Sequence, residues 1–569
     1  MSKKWIIAPQ SNNEYKAKFK EINPIVLQLL FNRGLTTQDQ VDQFLGPDYN
    51  RDQHDPFLFS HMKPAVSRIL NAVSQGQKIV IYGDYDADGV TSTAVLYNTL
   101  KRLQAENIGF YIPDRINEGY GMNTASVREL AKQGANLVIT VDCGISNFEE
   151  IELAKKLGMD VIVTDHHTSP EKLPPADHII CPTVKTEKYP FSSLAGVGVA
   201  FKLAQALLRT DQSNNEAFEK WLLDLVAIGT VADCMPLLGE NRTLVKWGLL
   251  VLNKTERLGL QELIQASRIK RELDSHSIGF QLAPRLNAAG RMDHANTALE
   301  LLITEDEAEA LAIATDLGQK NQHRQQKTED MLKISLSQIG EPKHGDKILF
   351  SSYQDWSPGL VGLVAGKLAD KFSRPVIVFG RSGDKYIGSG RSIPEFDITA
   401  ALNQCQQYLS EFGGHSQACG LTIKGEQNFN QFKQAIYDLA TGKLAGVELA
   451  PSIQAEAVIS LSEANWDLVD NLAQFAPFGE ANEEPLFITR NLIIESMDTI
   501  GNRNNHLRLY LKDNTINLAK KFLAFGQAEE WRHKAKPGDR IDVVYSLSIN
   551  QWNGSREIQF KIKDIKKSK

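Results

Sequence analysis

Four short clusters of aspartate and histidine in the first half of the chain carry side chains that bind divalent metal ions. They are Gly83-Asp84-Tyr85-Asp86-Ala87-Asp88-Gly89, Val141-Asp142-Cys143-Gly144, Asp165-His166-His167 and Val231-Ala232-Asp233. Carboxylates and imidazoles suit Mn²⁺ or Mg²⁺, whereas no two cysteines have the spacing that zinc or iron–sulfur sites use. The clusters therefore predict a site for hard divalent cations.

The first cluster places three carboxylates, those of Asp84, Asp86 and Asp88, close together in the sequence. We interpret it as a turn closed by Gly89, in which the carboxylates surround one point. Negative charges at such distances repel one another unless a cation compensates them. Asp-Gly is also a common turn signal by itself, but four clusters in this arrangement favour a metal site.

Seven side chains are predicted to hold two metal ions about 3.5–4 Å apart, the spacing at which such ions clamp both oxygens of a phosphoryl displacement. The predicted ligands are Asp84, Asp86, Asp88, Asp142, His166, His167 and Asp233. Asp165 is predicted to orient a histidine, because ligating imidazoles commonly need such a partner. These eight residues are the candidate catalytic residues.

The elements that position the clusters are indicated by the apolar runs that precede them. Residues 78–82, 137–141 and 161–164 are apolar and β-branched, which is typical of buried strands. Helix-like stretches between them predict parallel strands, whose carboxyl ends meet at one edge of a sheet. Residues 221–232 are predicted to form a buried helix that delivers Asp233 to that edge.

The predicted fold class is α/β, with a parallel-sheet catalytic domain, a long linking helix, a second α/β domain and a C-terminal β-barrel. The predicted ranges are 1–75 for an N-terminal segment packing on the catalytic domain, 76–304 for that domain, 305–345 for the linking helix, 346–447 for the second α/β domain and 448–569 for the barrel. Residues 284–292 are interpreted as a loop rich in small residues. Strand patterns at 507–511, 541–545 and 557–562, with a hairpin turn at Asn553-Gly554, indicate the barrel.

Composition excludes some classes of protein and leaves others open. The 569 residues are 42% hydrophobic, and no apolar stretch approaches the about 20 residues of a membrane span. The five cysteines have no regular spacing, which is consistent with reduced thiols and a cytoplasmic location. The net charge of −6 argues mildly against nucleic acid, but from Gly501 onward fifteen Lys and Arg accompany seven Asp and Glu.

The motifs also carry a family resemblance. GDYDADGVTS, VDCG, TDHH and GTVADCMPL resemble, in the same order, the four motifs of the DHH phosphoesterases. The stretches at 112–122, 194–203, 281–295, 388–393 and 412–423 resemble the single-strand-specific exonuclease branch of that superfamily. The resemblance implies a DHH catalytic domain, a DHH-associated domain with a GGH motif, and an OB-like β-barrel. It further implies a two-metal 5′→3′ exonuclease that degrades single-stranded DNA to 5′-mononucleotides in DNA repair and recombination.

The resemblance also implies residues that bind the substrate. Arg115, Ser389 and Arg391 match positions that resemble a 5′-phosphate pocket, and His415 of the GGH motif would add a donor. Arg285 and Arg291 are predicted to contact the DNA backbone, with structural ion pairs as the alternative. Phe525, Trp531, Tyr545 and Trp552 are candidate base-stacking or core aromatics of the barrel. Trp356-Ser357-Pro358-Gly359 departs from the family's WHxG-like stretch, so no role of that histidine is transferred.

Expected partners are single-stranded DNA, a single-strand-binding protein and a helicase, and the protein is expected to be a monomer without membrane contact. One alternative is a DHH phosphodiesterase for short oligonucleotides or cyclic dinucleotides, which would lack the barrel. A related pyrophosphatase is disfavoured by the length of the chain. A non-enzymatic DNA-binding scaffold would have lost the carboxylates that this sequence retains.

Overall fold

The structure is a computed structural model that describes residues 3–115, 117–211, 215–343, 345–501, 503–552 and 555–568. The chain forms two compact units. The larger unit consists of His54–Met235 and Trp247–Pro451, and the smaller unit consists of Met1–Gln53, Pro236–Lys246 and Ser452–Lys569. The predicted turn at Asn553-Gly554 lies outside the described residues, as does the side chain of Trp552.

Up to residue 340 the described chain is mainly helical. Its strands are β1 (Lys4–Ile7), β2 (Ile79–Tyr82), β3 (Ile108–Tyr111), β4 (Leu137–Val141), β5 (Asp160–Thr164) and β6 (His178–Ile180). Its helices are α1 (Asn13–Lys18), α2 (Pro24–Asn32), α3 (Gln38–Leu45), α4 (Met62–Ser74), α5 (Ala87–Arg102), α6 (Thr124–Lys132), α7 (Phe148–Lys156), α8 (Gly196–Thr210), α9 (Glu216–Trp221), α10 (Leu223–Ala232), α11 (Gly239–Leu252), α12 (Leu258–Ala266), α13 (Ser275–Ser277), α14 (Ala283–Met292), α15 (Asn296–Ile303) and α16 (Glu307–Ile339). A 3₁₀ turn at Pro56–Leu58 and a π-helical turn at Ile278–Leu282 complete this part.

Beyond residue 340 strands predominate. They are β7 (Leu349–Tyr353), β8 (Val376–Ser382), β9 (Lys385–Arg391), β10 (Glu411–His415), β11 (Ala418–Lys424), β12 (Ser452–Ala455), β13 (Ala457–Val458), β14 (Leu486–Ile500), β15 (His506–Lys512), β16 (Lys520–Ala524), β17 (Arg540–Trp552) and β18 (Ser555–Lys567). The helices are α17 (Pro358–Phe372), α18 (Ile398–Gln404), α19 (Glu426–Lys443), α20 (Trp466–Ala473) and α21 (Ala528–Trp531), with a 3₁₀ turn at Gln406–Tyr408. Among the described residues, no helix is both long and apolar enough to cross a membrane.

The larger unit contains a parallel sheet and a mixed sheet. The parallel sheet has the order β3-β2-β4-β5-β6, and the residues of β2 and β4 are all buried, as expected for strands covered on both faces. The mixed sheet has the order β10-β11-β9-β8-β7, in which only β7 and β8 are parallel. The predicted α/β fold class is therefore confirmed.

Two helical predictions for the larger unit have different outcomes. The long helix predicted from residue 305 is α16, a helix of 33 residues that begins after its N-cap, Asp306. The predicted loop at residues 284–292 is wrong, because these residues form α14. The small residues do not prevent a helix, because alanine is a strong helix former, and they allow close packing: a Cβ on Gly290 would lie 2.7 Å from the carbonyl oxygen of Tyr85.

The smaller unit contains the predicted C-terminal barrel. Strands β14, β15, β16, β18 and β17 are paired in that order, and β17 pairs back with β14 to close the sheet. Tyr545 lies inside the barrel and shares a hydrogen bond with Thr489, so it is not an accessible stacking aromatic. Trp531 is also nearly buried, whereas 51% of Phe525 is exposed. The closed five-stranded order confirms the predicted OB-like barrel.

Within residues 1–75, Met1–Gln53 belongs to the same compact unit as the barrel, whereas the predicted packing of residues 1–75 on the catalytic domain stays a prediction. The apolar faces of α2 and α3 share a core with α20 and the barrel strands. For example, the rings of Phe44 and Phe475 meet edge to face with centroids 5.1 Å apart. An amphipathic helix shows that it has a partner but not where the partner lies in the sequence, so the sequence alone could not assign this segment.

Arg242 is a buried cation that connects all three segments of the smaller unit. Its guanidinium donates to the carbonyl oxygens of Phe44, Gln474, Phe475, Ala476 and Pro477 at 2.8 to 3.4 Å. It also lies over the ring of Phe44, 3.9 Å from the centroid.

Replacing Arg242 with Met should therefore destabilise the smaller unit by about 3 kcal/mol or more, because buried carbonyl groups would lose their donors. Urea unfolding followed by tryptophan fluorescence would measure the loss. The matched control is Arg490→Met at an exposed position of β14, for which we expect a change of about 0.5 kcal/mol or less. Equal stabilities of the two variants would contradict this role of Arg242.

Candidate functional site

The predicted metal ligands stand at the carboxyl ends of three neighbouring strands of the parallel sheet. Asp84 follows β2, Asp142 follows β4 and His166 follows β5. Strand β4 pairs with both β2 and β5, so the three positions lie side by side at one sheet edge. Asp233 reaches the same place from the carboxyl end of α10. Strand and helix ends therefore bring distant parts of the sequence together at one site.

The first cluster is a turn that runs directly into α5, and Gly89 lies within the helix instead of closing the turn. Asp86 caps this helix, because its Oδ1 accepts hydrogen bonds from the N–H groups of Asp88 and Gly89 at 2.9 and 3.1 Å. The two oxygens of Asp88 accept hydrogen bonds from the first two N–H groups of α8 at 2.8 and 2.9 Å. These contacts hold both carboxylates in place before any cation binds.

The seven predicted ligands form three overlapping groups, in each of which the ligand atoms lie within 4.8 Å of one another. The groups are Asp142 with His166 and His167, Asp88 with His166 and Asp233, and Asp84 with Asp86 and Asp142. His166 Nε2 lies 3.1 Å from Asp142 Oδ1 and 3.6 Å from Asp233 Oδ2. Because Asp142 and His166 each belong to two groups, they form the centre of the site.

The chemistry of this donor set fits divalent cations. Asp84 Oδ1, Asp142 Oδ1 and His166 Nε2 are buried and have no hydrogen-bond partner among the described residues. The Asp142 and His166 atoms are close, but they are not aligned for a hydrogen bond. A buried polar atom without a partner costs about 1–3 kcal/mol. Hard cations with oxygen and imidazole ligands would satisfy all three atoms.

Burial and mutual repulsion raise the pKa values of four carboxylates of the site, those of Asp84, Asp88, Asp142 and Asp233. Burial and the charge of Asp86 raise the pKa of Asp88 to about 7. Burial, together with the charges of Asp88 and Asp86, raises the pKa of Asp233 to about 9. The pKa values of Asp84 and Asp142 are also raised well above their usual range, chiefly by burial. The metal-free site therefore holds protons that a cation must displace.

Asp165 makes the two histidines differ in charge. Burial lowers the pKa of His166 to about 4, so its imidazole is neutral at pH 7. Burial also lowers the pKa of His167, but the hydrogen bond with Asp165 outweighs this effect. His167 Nδ1 lies 2.8 Å from Asp165 Oδ1, and the pKa of His167 is raised to about 9. Asp165 is fully buried and also accepts three backbone N–H groups, from Ile145, His166 and His167. This geometry supports the prediction that Asp165 orients His167, whose Nε2 is then left for a cation.

Cation binding to the metal-free protein should strengthen as pH rises. Asp88 and Asp233 have native pKa values of about 7 and 9, against an ordinary value of 3.8. Between about pH 4 and pH 9 these two carboxyl groups thus bind more protons in the native state than in the unfolded state, and their contribution to stability falls as pH rises. Mg²⁺ displaces these protons, so the gain in Tm on adding Mg²⁺ should be larger at about pH 8.5 than at about pH 6.5. Melting curves with and without Mg²⁺ test this, and a gain that shrinks as pH rises would contradict it.

Ser389 and Arg391, two of the predicted substrate-binding residues, lie together on one surface of the mixed sheet. The two residues point to the same face of β9 because they are two positions apart. Arg391 Nη1 donates to Ser389 Oγ at 3.1 Å and to the carbonyl oxygen of Gly390 at 2.8 Å. Helix α17 comes so close to this face that a Cβ at Gly362 would lie 3.3 Å from Arg391 Nη2. An arginine beside the amino-terminal half of a helix suits a phosphate.

Two further arginines lie near this surface and near the metal ligands. Arg115 lies over the ring of Tyr85, 4.7 Å from the centroid. Arg291 Nη1 donates to the carbonyl oxygen of Gly359, in the first turn of α17, at 2.8 Å. Burial, with the neighbouring charge of Arg115, lowers the pKa of Arg291 to about 9. In the described part of the chain, neither arginine has a carboxylate oxygen within 4.0 Å, nor does Arg391. Such a cluster favours an external anion.

The GGH motif belongs to the same face of the mixed sheet. His415 is in register with Ala418, which is in register with Arg391, so the three side chains share one face. The motif lies in strand β10 and forms a hairpin with β11. Gly414 has a φ of +143°, and a Cβ there would lie 2.2 Å from a main-chain oxygen, so this position requires glycine. His415 is exposed, so its imidazole can reach a ligand bound on this face.

Three residues at the site were not predicted individually. The hydroxyl of Tyr120 lies 3.0 Å from His167 Nδ1, and Asn287 Oδ1 accepts the N–H of Ala87 at 2.8 Å. Tyr120 and Asn287 lie within 112–122 and 281–295, stretches that carry the family resemblance. Arg324 lies on the polar helix α16 near Arg285, and no sequence signal distinguishes it. Arg285 itself lies on α14, as does Arg291.

Three family profiles match the chain, and together they cover most of it. They are the DHH family, N-terminal domain, over residues 78–230, the DHHA1 domain over residues 345–442, and the RecJ OB domain over residues 455–564. These matches correspond to the parallel-sheet region, the mixed-sheet region and the barrel.

Similar proteins agree with these profiles. The single-stranded-DNA-specific exonuclease RecJ of Bacillus subtilis (strain 168) is 39% identical over 566 residues, covering 99% of this chain and 70% of that protein. The crystal structure of RecJ from Thermus thermophilus in complex with Mn²⁺ matches with a TM-score of 0.84 and 28% identity, covering 100% of this chain and 80% of that one. The complex of that protein with Mg²⁺ matches with a TM-score of 0.78 and 28% identity, covering 100% and 79%.

Proposed function

Because the chain belongs to the RecJ family of single-stranded-DNA-specific exonucleases, we propose that it degrades single-stranded DNA from the 5′ end, uses two Mn²⁺ or Mg²⁺ ions and releases 5′-mononucleotides. The observation that carries the proposal is the convergence of seven ligand side chains beside arginines that have no carboxylate partner among the described residues. A cation site next to an anion site suits a phosphodiester close to a terminal phosphate.

The side chains of this protein divide the work of cleavage. Asp84, Asp86, Asp88, Asp142, His166, His167 and Asp233 would hold the two ions. When bound, such ions neutralise charge that develops on the phosphoryl oxygens and lower the pKa of water. Asp165 keeps the Nδ1 proton of His167 directed inward, which fixes the ring and its tautomer. These contacts exist without substrate, so the site is preorganised.

The face of β9 that carries Ser389 and Arg391 supports 5′→3′ polarity. Arg391 and Ser389, with Arg115 and His415, would bind the terminal 5′-phosphate through charge-assisted hydrogen bonds. Arg115 lies over the ring of Tyr85, which stands between Asp84 and Asp86 in the sequence, so a phosphate bound by Arg115 would lie beside the proposed metal ligands. With the 5′-phosphate held there, the first phosphodiester of the strand would be the bond presented to the side chains that would hold the ions. Cleavage would then release one nucleotide at a time.

The smaller unit supports binding of a long single strand. It carries a groove of about 700 Å³ that is lined by lysines of β18, including Lys561, Lys563 and Lys566, and by the exposed ring of Phe525. Clustered positive charge beside an exposed aromatic ring suits a single strand of nucleic acid.

The presence of the barrel also argues against a phosphodiesterase for short substrates, which was expected to lack this domain. The retained ligands argue against a DNA-binding scaffold. The monomeric state, the cytoplasmic location, and binding to a single-strand-binding protein and a helicase stay predictions.

The test uses the purified full chain with Mn²⁺ and oligonucleotides labelled at one end. Strands labelled at the 3′ end should shorten progressively, and strands labelled at the 5′ end should release labelled mononucleotide at once. Blunt duplex DNA and a cyclic dinucleotide should remain intact. Hydrolysis of the dinucleotide beside an intact single strand would overturn the proposed substrate, and release of mononucleotides from the 3′ end first would overturn the polarity.

A further inference from the structure

An exposed aromatic pair lies on the irregular helical segment that precedes α14. Phe280 exposes 70% of its surface to solvent. No other Phe, Tyr or Trp in the described part of the chain is exposed to this extent. Its ring stacks on that of His276, with centroids 4.5 Å apart and planes 25° apart. Phe280 lies in the π-helical turn Ile278–Leu282, and such turns frequently mark functional sites. Folding leaves this apolar surface in water, where it is available to a ligand.

The same segment runs beside the proposed metal site. Gly279 lies in contact distance of Val231: a Cβ on Gly279 would be 3.8 Å from Val231 Cγ1. Val231 precedes the proposed ligand Asp233 by two residues. Further along the segment, Asn287 contacts the start of α5 and Arg291 contacts the start of α17. The twelve residues from Phe280 to Arg291 are eleven helical steps and span about 16 Å, a length that several nucleotides of an extended strand cover.

Two neighbouring arginines, Arg285 and Arg324, have no carboxylate partner among the described residues, and Arg285 lies on the same helical segment as the aromatic pair. Arg285 Nη1 donates to the carbonyl oxygen of Gln281 at 2.6 Å, which fixes this side chain one turn from Phe280. The Nε atoms of Arg285 and Arg324 are buried and have no hydrogen-bond partner in the described chain. No carboxylate oxygen of that part of the chain lies within 4.0 Å of either guanidinium. An apolar ring beside unpaired cations is complementary to a nucleotide, which has an aromatic base and an anionic phosphate.

We propose that Phe280, supported by His276, stacks on a base of the substrate strand, while Arg285 and Arg324 bind the phosphates next to it. The helical segment 275–292 then forms a strand-binding platform within the larger unit, one end of which reaches the metal site. This inference rests on the proposed function, because it requires a single-stranded substrate. Stacking accepts every base, so the platform holds the strand without selecting its sequence.

Phe280→Ala should raise KM for a single-stranded oligonucleotide about tenfold, with kcat changed less than about twofold. Phe280→Trp should restore KM, because a larger ring can stack in the same place. The matched control, Leu157→Ala, removes an exposed apolar side chain near the amino end of β5 and should leave KM unchanged. Equal melting temperatures would show that each variant is folded, as expected for exposed positions.

Two further measurements separate stacking from a merely structural role. Oligonucleotides with one abasic site at successive positions from the 5′ end should bind the wild-type protein more weakly at one position, and Phe280→Ala should abolish this dependence. Arg324→Gln should reduce the slope of log affinity against log salt by about 0.7, the value for one phosphate of a single strand. An unchanged KM for Phe280→Ala, or an abasic-site profile equal to that of the wild type, would overturn the proposed platform. The proposed function would still stand in that case, provided that the wild-type protein cleaves single strands. Absence of single-strand cleavage by the wild type would overturn the proposed function itself.

Discussion

Replacing Asp142 with Asn should lower the rate of strand cleavage by about a thousandfold or more and leave the fold intact. Asp142 belongs to two of the three ligand groups, so the loss of its charge weakens both. The ions contribute several kcal/mol to phosphoryl transfer, and each 1.36 kcal/mol corresponds to about a factor of ten. Asn is the matched substitution because Asp142 has a φ of +61°, a left-handed conformation that Asn tolerates better than Ala does.

The stability of the metal-free variant distinguishes a ligand from a structural residue. Asp142 is buried, and the charges of Asp88, Asp86 and Asp84 oppose its ionisation. The neutral amide removes this repulsion, so the Tm of metal-free Asp142→Asn should equal or exceed that of the wild type, whereas the gain on adding Mg²⁺ should shrink. Glu149→Gln, on the surface of α7, is the control and should keep the full rate. A rate within about tenfold of wild type would remove Asp142 from the metal site.

Replacing Arg391 with Ala should lower kcat/KM about a hundredfold for strands with a 5′-phosphate and much less for strands with a 5′-hydroxyl. Two hydrogen bonds to a charged group are worth about 1.5–3 kcal/mol each, and a 5′-hydroxyl end cannot form them. In the protein Arg391 uses one nitrogen, Nη1, for contacts to Ser389 and Gly390, so its remaining N–H groups are left for a ligand. Steady-state cleavage of paired oligonucleotides that differ only at the 5′ end measures the difference.

The control for this variant is another arginine of the same sheet. Arg381 lies on the exposed end of β8, where its guanidinium packs over the ring of Tyr386, 5.3 Å from the centroid. Arg381→Ala should leave the preference for a 5′-phosphate unchanged. If Arg391→Ala slowed both kinds of strand equally, the 5′-phosphate assignment would be rejected, even though the arginine could still bind DNA elsewhere along the strand.

Truncation before the barrel is not a clean test of its role in DNA binding. Residues 1–53 and 236–246 share a core with the barrel, so removal of residues 452–569 would expose the apolar faces of α2 and α3. Arg242 would lose four of its five carbonyl partners in the same truncation. Substitution of surface lysines in the groove of the smaller unit leaves this core intact and is the better experiment.

The convergence of the proposed metal ligands could be predicted because their sequence signals are local. Each strand of the parallel sheet is an apolar run, and its ligand follows within two residues, as Asp84 follows Tyr82 and Asp142 follows Val141. Parallel strands place all their carboxyl ends at one edge, so the convergence of the ligands follows from strand direction alone. The order of the motifs along the chain indicated the family, and the family resemblance in turn indicated the candidate phosphate-binding residues. Strand register then placed His415 on the face of Arg391, as the family pattern implies.

What only the tertiary structure decided depends on contacts between residues that are distant in sequence. Helices α2 and α3 have apolar faces that would suit any core, and their packing with the barrel follows from shape and from the carbonyl groups that Arg242 connects. Residues 284–292 contain Pro284, Asn287 and Gly290, which are unfavourable in a helix interior, but Pro284 lies in the first turn of α14, and Gly290 and Asn287 contact Tyr85 and Ala87. Arg324 and Phe280 are ordinary residues in the sequence. The exposure of Phe280 and the missing carboxylate partner of Arg324 single them out as candidates. Both properties depend on how the chain packs and not on the type of residue.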